Sequence, residues 1–445
     1  MSDMNGAPYP GRGTPGKEIK SEETKGFKLL GHCDFGGENK GDIMQALLKD
    51  NFLICGHVGN SGAGTSIIDV SNPRKPVLVN QIAAPVNTHT NKVQIVGDIL
   101  IVNNEQFGGR DRTPVKAGID VYDLSKLPDL KLLSFFHVGG RGVHRMCYFN
   151  EPYAFITAGD DDYIDQFLKI IDLSNPEDPK EVGRWALPGM RNDEERDWVQ
   201  AGQFNDEFKK TAKGSYVMPS CCDELSETFE EISAPSKRAT LHLAMPIGDR
   251  CYGAWWDSGF IIHDISDISK PEVISHTQWP ADKSSATHSV LPLLDRDLCV
   301  VSDECTAYDC DDIHKDVRIL DISDEKNPKT ISTLPVPEGD FIERGGRFGP
   351  HNIHENREDS FKSSKRIYHT YFNAGLRVFD IEDAENPKEI AYYVPETPKR
   401  KPRKIAAGRY EMLQTQIDDV FVAKNELVYI TERMGAGIYI LEPDF

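Results

Sequence analysis

The sequence predicts an all-β fold, a seven-bladed β-propeller closed by its own N-terminal strand, on three observations. A strand-turn motif recurs six times, a pair of apolar strands precedes each copy, and the last unit is one strand short. The motif reads IIDVSNPRKP at 67–76, IIDLSNPEDP at 170–179, IHDISDISKP at 262–271, ILDISDEKNP at 319–328 and VFDIEDAENP at 378–387. In these five copies a proline follows the aspartate by seven residues, counted from Asp69, Asp172, Asp264, Asp321 and Asp380. A sixth copy, VYDLSKLPDL from Val121, keeps Asp123 and moves its proline to Pro128.

Each copy follows from side-chain chemistry. The β-branched and aromatic residues form a strand. The aspartate and the Ser or Asn after it bond nearby backbone amides and set a turn. The proline then fixes φ where the next strand starts, at an edge where its missing N–H costs little. That next strand reads VLVNQIA, KEVGRWAL, EVISHTQW, KTISTLPV or KEIAYYV. The motif aspartates are therefore structural. Upstream lie paired apolar strands such as KVQIVGDILIVNN (92–104), MCYFNEPYAFITA (146–158) and SVLPLLDRDLCVVSD (289–303). Four short strands per unit, repeated about every 50 residues, is the arithmetic of propeller blades.

The ends supply closure. The final unit, IDDVFVAKNELVYITERMGAGIYIL, holds three strands, and FKLLGHCDF (27–35) is an orphan fourth strand whose pairing with them leaves no free edge. Residues 1–26 read as a flexible arm and 27–445 as the propeller. Residues 188–240 read as an insertion, a lid or an oligomer contact, in which Trp198, Phe204 and Phe208 have near-helical spacing.

The repeated Asp-ending strands resemble LVIVD repeats, over most of residues 27–445. The resemblance implies a β-propeller and assigns no activity.

Composition narrows the partners. With 71 acidic against 51 basic residues the net charge is −20, which repels nucleic acid and anionic membranes. The N-terminus has no apolar core of a secretory signal, and nine irregularly spaced cysteines suit reduced thiols, so a cytoplasmic setting is expected. Walker, G-x-G-x-x-G, G-x-S-x-G and H-E-x-x-H motifs are missing.

Aligning the units on their aspartates puts a histidine at the start of the first strand five times: His89, His144, His242, His288 and His351, out of 13 in the chain. The seventh unit has Gln416 there, and the first has Asp42 or a near neighbour. Innermost strands line a propeller axis, so these imidazoles should converge at one mouth. Imidazole suits Fe, Cu, Mn, Ni and Zn, with Fe, Cu or Mn favoured here. The second strands return to the same mouth and end in polar residues, among them Glu105, Asp160, Asp257, Asp303, Glu304, Asn373 and Glu432. Of these, Glu105, Glu304 and Glu432 are expected to orient the histidines or act as acid or base. Arg145 is a candidate for a substrate carboxylate or phosphate, and His354 and Glu355 are further candidates.

The expected function is a metal-dependent enzyme acting on a small organic substrate, oxidative first and lyase or hydrolase second. In architecture it is similar to carotenoid-cleaving oxygenases and to selenium-binding-type methanethiol oxidases. A protein-interaction propeller with a structural histidine or metal ring is the reading from another class, and a homo-oligomer is compatible with any of these.

Overall fold

The structure, a computed structural model, describes residues 17–37, 40–59, 61–106, 116–149, 152–194, 239–280, 286–306, 315–399 and 414–445. Seven antiparallel sheets surround one axis, and their strands are labelled a to d from the axis outward. Blade one runs in chain order through Ile43–Lys49, Phe52–His57, Ala63–Asp69 and Val77–Ala83. Blades three, four and five repeat this order, with strand a at Val143–Cys147, Leu243–Ile247 and Thr287–Leu293. In blade two, strand a is split into Thr88–His89 and Val93–Val96, both paired with Ile99–Gln106. In blade six it shrinks to residues 351–354: the His351 N–H donates to Thr370 O at 2.9 Å, and Ile353 bridges His369.

Closure is as the sequence implies. Phe27–Cys33 pairs with Gly437–Pro443, outside Val428–Glu432 and Ile417–Val422, and completes blade seven. The expected flexible arm ends earlier than residue 26. Glu23–Lys25 pairs with residues 392–394, and the Ile19 N–H donates to Thr397 Oγ1 at 2.8 Å. The outer edge of blade six would otherwise leave backbone groups unpaired, and this segment satisfies them. Residues 1–16 and 195–238 lie outside the described residues, so most of the 188–240 insertion and its helical spacing do too.

The repeated motif does two jobs. In all six copies the aspartate Oδ1 accepts the N–H two residues on, at 2.7–2.9 Å, from Ser71, Ser125, Ser174, Ser266, Ser323 and Glu382. The turns so formed also set the seams between blades. On strand d of the preceding blade, Asn80, Ser134 and Ser332 donate side-chain bonds to the turn carbonyls of Pro128, Pro176 and Ala384. At the equivalent place blades three and seven carry Gly183 and Gly31. A Cβ there would lie 2.0 Å from the carbonyl oxygens of Ile268 and Pro73. The seam therefore accepts a donor or no side chain at all. Gly183→Ala is expected to cost about 1–3 kcal/mol by forcing two blades apart, read as a lower denaturation midpoint with an unchanged slope; an unchanged midpoint would refute the seam.

Strand direction fixes the two faces. Strand a starts, and strand b ends, at what is called here the upper mouth. The Asp-Pro turns lie at the lower end. The described residues that flank the insertion, Glu194 and Ala239, connect strand d of blade three to strand a of blade four and so stand at the upper mouth.

Candidate metal centre

The axial ring is built by a shared irregularity. The ladder between strands a and b breaks register between Ile43 and Gln45, Val143 and Met146, Thr287 and Ser289, and Ile417 and Val420. The break frees Met44, His144, His288 and Asp418 from the ladder at one level. Bulges re-aim side chains in this way next to functional sites. The expected occupants of units one and seven, Asp42 and Gln416, are thus corrected to Met44 and Asp418, two residues further on. A sequence alignment without the bulge cannot see this.

Four histidines form a continuous arc. His144 Nε2 lies 3.1 Å from His242 Nε2, the rings of His242 and His288 stack at 3.6 Å, and those of His288 and His351 are 4.5 Å apart. Each Nδ1 has an outward partner: Glu105 Oε2 for His144 at 2.7 Å, His288 O for His242 at 2.7 Å, Ser289 Oγ for His288 at 2.7 Å and Asp418 O for His351 at 2.6 Å. An imidazole that donates through Nδ1 keeps its lone pair on Nε2, the tautomer a metal uses.

His89 is placed differently. Its Nε2 bonds Glu105 Oε2 at 2.7 Å, so it shares that oxygen with His144 and stands behind the arc. The ladder explains why. His89 pairs with Glu105 itself, whereas in blade five the pair at the break is Thr287 with Asp303, one residue before His288.

The carboxylates separate into roles. Glu105 is buried and also accepts from Gln166 Nε2 at 3.1 Å. Burial pushes its carboxyl up, but His144, His89 and Arg141 outweigh that and hold it well below the ordinary glutamate value. Glu304 faces the other side of the rings. Its oxygens lie 3.4 Å from His288 Nε2 and 3.7 Å from His351 Nε2, with Arg347 donating at 3.1 Å. Among the described residues, two groups have ligand atoms close enough for one ion: His89, Glu105 and His144, and His288, Glu304 and His351.

Other expected residues are not brought to the ring. Glu432 accepts the N–H groups of Gln416, Met434 and Ala436 at 2.7–3.0 Å and shapes a turn. Asp160 pairs with Lys169, Asp257 accepts the Ala286 N–H, Asp303 pairs with Arg318, and Asn373 donates to Phe341 O. His354 is held by Phe361 O and the Val422 N–H. Arg145 lies one layer below the ring and is 2% exposed. It crosses the axis to donate to Asn352 Oδ1 at 3.1 Å and Glu355 Oε1 at 3.0 Å.

Burial, with nearby positive charges, holds His242, His288 and His351 well below the ordinary histidine value. Neutral imidazoles facing one axis are ready ligands. Aromatic rings flank them: Trp256 lies 5.7 Å from His242 and 6.3 Å from His288, and Phe372 lies 4.7 Å from His351. The lower end is closed from blade six, where Arg357 donates to Gln94 Oε1 and Ile95 O at 2.6 Å and to Tyr148 O at 3.3 Å. Neither Arg347 nor Arg357 has a sequence signal, because their partners are hundreds of residues away or on another blade.

This is a seven-bladed β-propeller with histidines on its axis. It carries LVIVD repeats: residues 48–83, 150–186 and 247–277 match that repeat. Among solved structures it is similar in fold to the N-terminal domain of Nup159 (11% identity, 97% of this chain and 98% of that one, TM-score 0.52). The Pseudomonas aeruginosa periplasmic gluconolactonase PpgL (10%, 87% and 93%, 0.52) and the WD40 β-propeller domain of Doa1 (9%, 96% and 96%, 0.51) are also similar. At these identities the likeness is one of fold alone. No curated protein matches the sequence.

Proposed function

We propose that this chain is a metal-dependent enzyme that acts on a small organic molecule at the upper axial mouth, with oxidative chemistry first and lyase or hydrolase chemistry second. One observation carries the reading. The Nε2 atoms of His144 and His242 face each other at 3.1 Å while both Nδ1 atoms point at acceptors. Two lone pairs so placed repel unless a metal ion or a proton lies between them. Both nitrogens would serve as donors to such an ion.

Donors to such an ion would come as two sets along the arc: His144 with His242, which face each other, and His288 with His351, which have Glu304 on their Nε2 side. Bound Fe, Cu or Mn would supply redox chemistry, and Zn would supply polarisation of a substrate oxygen. Glu105 fixes the tautomer of His144 through Nδ1. Trp256 and Phe372 pack beside the rings, and Arg357 bonds across the lower end, so substrate would approach from above. The charge of −20 favours a small molecule over nucleic acid, and six free cysteines among the described residues fit a reducing compartment.

A structural ring is the second reading. An imidazolium at His144, paired with Glu105, could donate through Nε2 to His242, and the depressed Glu105 carboxyl is compatible with that pair. Elemental analysis of untagged protein prepared without chelator separates the two. Near-stoichiometric metal in the wild type, lost in a His144→Ala/His288→Ala double variant, is the expected result. No metal in the wild type, even after anaerobic reconstitution, would leave the structural ring.

A further inference from the structure

At and below the histidine ring the axis is filled with buried charge. Lys92, Arg145, Glu355, Asp418 and Asp419 are each at most 7% exposed. Arg145 and Glu355 satisfy one another. Asp419 is different: it interacts with the charges of Arg145, Lys92, Glu355 and Asp418, and no described donor bonds its carboxylate. It borders a small cavity of about 10 Å³ between Gln45, Glu355 and Arg357. That is room for one water, and a water there would find polar partners on several sides. Arg357 also lines a second space, a cleft of about 450 Å³ that opens at the lower end beside Lys49, Phe149, Asp359 and Lys424. The same guanidinium thus separates the one-water cavity from solvent.

We propose that Asp419 is a buried proton-loading site on the axis, reached from the lower cleft through a water held between Gln45, Glu355 and Arg357. A proton arrives from the cleft, passes along that water and converts the Asp419 carboxylate to the neutral acid; the reverse path returns it. Burial raises the Asp419 carboxyl to about 7, Arg145 and Lys92 oppose the rise, and Glu355 and Asp418 add to it. The titratable and charged groups facing it come from four blades: Lys92 in blade two, Arg145 in blade three, His354, Glu355 and Arg357 in blade six, and its neighbour Asp418 in blade seven. Use of the proton in catalysis rests on the axial metal reading above; the loading itself does not.

The sign of the pH dependence follows. A carboxyl whose folded value is raised contributes stability that is complete below the unfolded aspartate range and lost as pH rises through about 7. Infrared difference titration of the full-length wild type tests the proposal directly. The expected result is a protonated-carboxyl band that titrates near neutral pH, shifts on transfer to D2O within minutes, and is missing from Asp419→Asn. In Glu355→Gln the band should titrate at lower pH, which keeps the test available if the Asn variant does not fold. A carboxylate that stays ionised at every pH between about 5 and 8, or a band that resists exchange for hours, overturns the proposal. Metal content is read on the same samples. Metal-free protein with the titrating band supports Asp419 and removes only the axial metal.

Discussion

Deletion of residues 1–33 is expected to leave no soluble, cooperatively folded protein, whereas deletion of residues 1–25 should lower the melting temperature by only a few degrees. The longer deletion removes Phe27–Cys33, the fourth strand of blade seven, and exposes the edge of Gly437–Pro443 along its length. It also removes Phe27, which is buried beside Ala391, Tyr393 and Leu441. At about 1 kcal/mol per net backbone bond over six paired positions and about 3–5 kcal/mol for a large buried aromatic, the loss is on the order of 9–11 kcal/mol. A domain has about 5–15 kcal/mol in total, and the exposed edge invites aggregation. The shorter deletion costs the three-residue strand on blade six and its contacts at Ile19 and Glu23. Size-exclusion chromatography and thermal melts decide the matter. A monomeric, cooperatively melting protein lacking residues 1–33 would mean that the ring closes without its N-terminal strand.

Glu105→Ala is expected to weaken metal binding about 10–100-fold, the usual cost of losing an orienting partner, and to destabilise the fold by about 3–5 kcal/mol. One carboxylate oxygen of Glu105 accepts from both His89 and His144 at 2.7 Å, and the other faces Gln166 and Arg141. Alanine leaves two buried imidazoles without that acceptor. Glu105→Gln can keep the shared oxygen but turns an amide donor toward Gln166 and Arg141. It should therefore retain more metal than alanine while losing stability. The wild-type contribution of Glu105 is present above the ordinary glutamate range and is lost as pH falls through its depressed folded value. Acid melts of Glu105→Gln should accordingly be flatter than those of the wild type. Metal titrations of the three proteins supply the first comparison. Equal affinity in all three would remove Glu105 from the metal centre.

The histidines show how far the one-dimensional pattern reaches. His144, His242, His288 and His351 were legible because each stands at the start of the first strand of its unit, ahead of a blade motif. His89 satisfied the same pattern and yet stands behind the arc, since the split strand of blade two moves it out of level. Asp418 and Met44 were invisible because a register break cannot be read from residue types. The carboxylates followed the same divide. Glu105, Glu304 and Glu432 all end strand b at the upper mouth, but Glu432 spends its oxygens on three backbone amides and Glu304 is steered by Arg347.

The sequence by itself determined the blade count, the closure by residues 27–33 and the mouth at which the histidines gather. These rest on local physics, namely strand periodicity, the Asp turn and the proline that follows it, and each repeats often enough to be recognised. Tertiary structure alone decided which imidazole nitrogen faces the axis, which carboxylate stands before or behind the rings, and how Arg145 and Arg357 cross beneath them. Those choices depend on groups that share no chain neighbourhood. They are settled only when seven sheets meet at one axis, where buried polar groups such as Arg145 and Arg357 find their partners on another blade.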